Sequence, residues 1–144
     1  TNWMAPGITG VEQAGGVNDI MFGWIDEAGF INVTAGNGVG ARSSFTINDN
    51  TWRHITITRN ASSGLCRFYV NGVLNGEGVS GKGFITTPFS QFGVIEDTAG
   101  TPAEFDGLLD EIRVFTGVRS PDRIRAEFKF MSGGHLKYKH IERY

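Results

Sequence analysis

The residues of this chain best placed to do chemistry lie in EFDGLLDEIRVF, Glu104 to Phe115, where four carboxylates crowd into an apolar run. Side chains of a strand alternate between its faces. Glu104 and Asp106 would then share a face, at a separation that geometry alone allows for a retaining glycosidase pair, whose carboxyl groups stand about 5 Å apart. Further along, Leu108, Asp110, Ile112 and Val114 fall on one side and Leu109, Glu111, Arg113 and Phe115 on the other. Asp110 thus sits in an apolar row, where a carboxylate needs a hydrogen-bond donor, a cation or a proton, because an unpaired buried charge is too costly to keep. Glu111 is easier to place, since Arg113 two positions on can pair with it.

Other reactive side chains form weaker patterns. His54 has no Ser, Cys or second His at a catalytic spacing, and a structural histidine is the better reading. His135 and His140 are five apart in the C-terminal tail, a weak metal signal. GNGVGARS has glycines but no helix pattern after it to cradle a phosphate. Cys66 is the only cysteine, which excludes an internal disulfide and a multi-cysteine metal site and leaves a small buried hydrophobe. For a sugar ligand the working parts are aromatic rings, on which the apolar faces of pyranoses stack, with polar groups for the hydroxyls. Trp3, Trp24 and Tyr69 are the ring candidates, although a sandwich core consumes most aromatics. Asn18, Asp19, Arg42 and the acidic loop around Asp97 are the polar ones.

The elements that must carry these residues read as strands. A chain of 144 residues with 21 glycines, 11 phenylalanines and four prolines suits one all-β domain. DIMFGWI and FINV predict a hairpin, with Ile20, Phe22 and Trp24 on one face. ARSSFTI, TWRHITITR and LCRFYV follow as strands, and Asn71-Gly72 supplies the positive φ angles of a two-residue hairpin turn. Gly76, Gly78, Gly81 and Gly83 predict a loosened chain, and the start up to Asn18 reads as loop. Ser120 as N-cap, Pro121 at the first helical position and Asp122 in the first turn open one short helix. Ile124 and Phe128 would pin that helix, Met131 would extend the apolar stripe, and SGG would end it. The tail from 132 to 144 is basic, an edge strand or loose.

The net charge is -2, but Thr1 to Glu111 holds five basic and twelve acidic residues whereas Ile112 to Tyr144 holds eight and three. The basic end could dock on an acidic surface. Nucleic acid is not the expected partner, because no basic patch is interleaved with stacking aromatics. No run of about 18 apolar residues is present to span a membrane. The chain shows no signal peptide and begins abruptly. Asn32 and Asn60 match the glycosylation acceptor pattern.

TWRHITITRN, RFYVNGVL and FDGLLDEIRVFTGVRSPDRIRAEF occur in the order and spacing of the laminin G-like, concanavalin A-like jelly rolls, and the chain resembles that group over Ile20 to Met131. The resemblance implies an all-β jelly-roll sandwich with one short C-terminal helix over residues 1–131, followed by the tail at 132–144. It makes Trp52 and His54 structural and accounts for the acids of the Asp110 strand. It also implies a start with further strands, so an N-terminal strand would be missing or supplied by the tail or by a neighbouring domain or protomer at the sheet edge. Related domains hold a structural calcium ion, for which Asp110, Asp19 and Asp106 are the ligand candidates, against the alternative that Asp110 accepts protein hydrogen bonds. β-Glucan-cleaving relatives space their carboxylates Glu-x-Asp-x-Glu. Here Leu108 stands where the acid/base would be, so no catalysis is expected.

The expected function is therefore a non-catalytic carbohydrate-binding module of an extracellular, cell-surface or virion-associated protein. A structural or adhesion module binding protein, such as a viral decoration, is the alternative, and a glycan hydrolase or lyase the third.

Overall fold

The computed structural model describes residues 6–37, 40–98 and 100–133. Among the described residues nine strands, β1 (Gly7–Glu12), β2 (Ile20–Ile25), β3 (Phe30–Ala35), β4 (Ala41–Thr46), β5 (Ile55–Arg59), β6 (Leu65–Val70), β7 (Val73–Val79), β8 (Val94–Asp97) and β9 (Ala103–Glu104), precede one helix, α1 (Pro121–Met131). The strands form a six-stranded sheet in the order β4-β3-β2-β1-β8-β9 and a three-stranded sheet in the order β5-β6-β7. The two pack into the expected jelly-roll sandwich. Its centre is Ile31, Val33 and Ala41 from the larger sheet against Cys66 and Phe68 from the smaller, with Phe22, Ile47, Ile55 and Ile57 around them. Cys66 is fully buried and unpaired, and burial pushes its thiol above the ordinary range.

Three local expectations change. The start is not all loop, because Gly7–Glu12 is the central strand that joins β2 antiparallel and β8 in parallel. Its glycines disguise it: a Cβ at Gly7 would stand 2.6 Å from Ile95 Cδ1, and one at Gly10 would strike the Ile20 carbonyl. Glycine weakens a strand pattern in sequence while permitting this close approach. Gly76 and Gly78 likewise do not loosen the chain but lie within β7, which crosses β4, and a Cβ at Gly76 would meet Ser44 N at 2.8 Å.

The third change is the largest. Residues 105 to 115 form no strand, so Asp110 is not in a buried apolar row. The carboxylate is exposed and its Oδ1 accepts the N–H of Glu111 at 2.9 Å, while Glu111 takes a positive φ of 52° that interrupts the extended chain. Leu108, Ile112 and Val114 are exposed with it.

The hairpin turn and the helix are as expected. Asn71 and Gly72 have φ of 51° and 77°. Ser120 caps α1 by accepting the Arg123 N–H at 3.3 Å, and Ile124 is fully buried. Phe128 lies against Gly72 and the His54 ring, which is 5.8 Å away between centroids. Met131 is partly exposed and does not extend the stripe, because the buried contact ends with Phe128. His54 N–H donates to Asn71 Oδ1 at 3.0 Å and its carbonyl accepts Asn71 N–H at 2.8 Å, so the Trp-x-His segment clamps the turn. The tail beyond Gly133, with His135 and His140, lies outside the described residues.

Candidate functional site

A bulge sets Trp24 on the face of its sheet away from the core, where it is partly buried. Phe22 and Trp24 are two apart and would share a face in a regular strand. Between them the register with β3 shifts, and Gly23 takes a φ of 86°. An extra residue in one strand re-aims the side chains beyond it. Phe22 consequently opposes Val33 and packs on the core, whereas Trp24 opposes Asn32 and donates its indole N–H to Thr34 Oγ1 at 3.1 Å.

A polar cluster is built beside it by the turn from β2 to β3. Asp26 Oδ1 accepts the N–H groups of Ala28 (3.1 Å) and Phe30 (3.0 Å), and Oδ2 accepts Asn32 Nδ2 at 3.3 Å. Asn32 is the register partner of Arg42 on β4. The Arg42 guanidinium lies 4.2 Å over the Phe30 ring and 3.8 Å from Asp26 Oδ2, with the side chain mostly exposed. Trp24 and Arg42, far apart in sequence, are thus set on one sheet face with Asp26 and Asn32 between them. A partly buried ring, a cation with spare donors and a carboxylate with fixed orientation can together stack a pyranose and bind its hydroxyls. The burial of Asn32 also removes it as a glycosylation acceptor.

The other polar candidates lie at the opposite end of the sheet. Gly7 pairs with Trp24 but Val11, four residues on, with Ile20, which separates the two pairs by about 13 Å at the rise of a strand. At the far end Asp97 opposes Glu12 and accepts the Gly100 N–H at 2.7 Å, and Asn18 is exposed with its carbonyl accepting Thr87 Oγ1 at 2.8 Å. Asp19 is buried and accepts the Gln13 N–H at 2.8 Å, and burial holds its carboxyl above the usual range. Glu12 is raised too, first by desolvation, then by its hydrogen bond with Asp97 and the nearby charges.

Tyr69 is 2% exposed and belongs to the core, so it offers no ring face. Trp3 lies outside the described residues. Trp52, set aside as structural, is instead 65% exposed on the loop into β5, and the signal that could have found it is its polar setting in NDNTWR. Asp106 and Asp110 are both exposed, and among the described residues no three His, Cys, Asp or Glu side chains gather to hold a metal ion. The structure therefore does not gather Asp19, Asp106 and Asp110 into one site. Glu104, on β9, and Asp106 are exposed as well. A cleft of about 380 Å³ runs from Phe115 to Arg123, but Arg119 covers the Phe115 ring at 3.6 Å and both arginines lean on Glu127.

A family profile for the concanavalin A-like lectin/glucanases superfamily, of the laminin G type, matches residues 2–125. The chain belongs to that superfamily. Among solved structures, an S-layer domain-containing protein from Clostridium thermocellum is similar at 18% identity with a TM-score of 0.49, covering 89% of this chain and 64% of that one. The chain thus spans less than two thirds of the neighbour it matches. No curated protein matches it. The superfamily holds both sugar-cleaving enzymes and non-catalytic modules, so membership supplies the fold, and the Trp24 face must supply the argument for function. No helix among the described residues is long and apolar enough to cross a membrane.

Proposed function

We propose that this domain binds carbohydrate without cleaving it, on the face of the six-stranded sheet that carries Trp24, Arg42 and Asp26. The observation that carries the reading is the Gly23 bulge, which turns Trp24 out of the core beside an arginine and a fixed carboxylate. Trp24 supplies the stacking platform, and Arg42 donates to ring hydroxyls that Asp26 accepts. Such a module suits an extracellular, cell-surface or virion protein, where glycans are displayed.

Glycan-array binding followed by titration calorimetry tests this. Trp24→Ala should weaken binding by on the order of 2 kcal/mol, roughly thirtyfold in Kd, as loss of a central aromatic anchor does. Arg42→Ala should weaken it less, and both variants should keep the wild-type circular dichroism. A folded Trp24→Ala variant with unchanged affinity would reject this face. The reading gives calcium no part, so chelator should leave affinity unchanged, and loss of binding on chelation would return a metal to the site. Release of reducing ends from a polysaccharide panel, abolished by Glu104→Gln, would replace the binding reading with catalysis.

A further inference from the structure

The segment from Leu108 to Val118 carries a run of apolar side chains that the fold leaves partly or largely exposed. Leu108 is 77% and Val114 63% exposed, and Leu109, Ile112, Phe115 and Val118 are exposed with them. A concentration of exposed apolar side chains of this kind points to an interaction site. None of these residues belongs to either sheet, yet apolar side chains occupy both sides of the alternating pattern, as in a strand covered on both faces.

The charges within the segment say what covers it. Glu111 and Arg113 flank Ile112 symmetrically. If two copies of the segment run antiparallel with Ile112 opposite Ile112, Glu111 of each faces Arg113 of the other, so both charges find opposite partners at once. Leu109 then faces Phe115 on the same side, twice. On the other side Leu108 meets Thr116 and Asp110 meets Val114, so no like charges are opposed. Opposite charges and apolar pairs directly across an antiparallel ladder are stabilising and like charges are not. A two-fold interface requires this self-complementarity, in which residue i contacts j and j contacts i.

We propose that residues 108 to 116 form an isologous antiparallel strand pair between two copies of this chain, centred on Ile112. In the single chain Glu111 and Arg113 satisfy each other at 2.7 Å, and Glu111 holds a positive φ that its side chain disfavours. Pairing straightens Glu111 into the extended region and exchanges the internal ion pair for two across the dyad. The segment shares no residue with the Trp24, Asp26 and Arg42 set, so the proposal stands or falls apart from sugar binding.

Light scattering on a sizing column over a wide concentration range tests it. Wild type should dimerise with concentration. Glu111→Arg or Arg113→Glu alone should weaken association about tenfold, since each substitution turns both cross-strand attractions into repulsions. Mixing the two single variants should restore association, because one chain then carries two arginines at positions 111 and 113 and the other two glutamates, so every cross-strand charge pair is again opposite. Ile112→Cys should give a covalent dimer under mild oxidation while Leu108→Cys, far from its symmetry mate, should not, and Cys66 is too buried to compete. A chain that stays monomeric at every concentration overturns the proposal. So does a mixture that associates no better than either variant alone, or a Leu108→Cys that cross-links as readily as Ile112→Cys.

Discussion

His54 shows what a single buried atom imposes. Its ring packs against Phe128, and Nδ1 is buried with no hydrogen-bond partner among the described residues. A proton added there would be an unsatisfied buried donor, so burial lowers the pKa below 6.5, with Arg113 acting the same way and Glu127 opposing. The folded state thus binds this proton less well than the unfolded chain. The stability this preserves is present above about pH 6.5 and is lost as pH falls through the lower native value. We expect the melting temperature of wild type to drop more between pH 7.5 and pH 5 than that of His54→Phe, which keeps a ring beside Phe128. Parallel pH curves for the two proteins would assign the acid sensitivity elsewhere. Trp24 and Tyr69 make the same point about legibility, because both were plausible rings in sequence and only the sheet register decided which lay off the core.

At the scale of elements, glycines and caps decide where strands and the helix lie. Gly76 lets β7 cross β4 at a distance no side chain tolerates, so Gly76→Val should cost about 1–3 kcal/mol by overpacking, read from chemical denaturation. An unchanged midpoint would mean that the two strands separate easily. Ser120→Ala removes the cap of α1 and should cost about 1 kcal/mol in the same measurement, whereas Ser120→Asp should retain most of it. The helix was legible because Ser120, Pro121, Asp122 and Ile124 are local signals acting within one turn. β1 was not legible, since Gly7 and Gly10 answer to Ile95 and to the β2 backbone, which are distant in sequence.

At the scale of the whole molecule, one shared cluster joins the two sheets. Phe68 is almost fully buried in the cluster that also contains Ile31, Val33 and Ala41 of the opposite sheet. Phe68→Ala should cost about 3–5 kcal/mol and lower a single unfolding transition. Two separate transitions would show that the sheets fold independently. The sequence by itself determined the all-β class, the Asn71-Gly72 turn and the capped helix, because turn chemistry, caps and alternation act between near neighbours, and its ordered motifs carried the resemblance to the superfamily. Tertiary structure alone decided that Trp24 faces outward beside Arg42, that Asn18, Asp19 and Asp97 belong to the other end of the sheet, and that the Asp110 stretch is exposed rather than buried. Those outcomes depend on register, a bulge and the presence of a partner strand, and a one-residue shift in register reverses the face of every side chain beyond it.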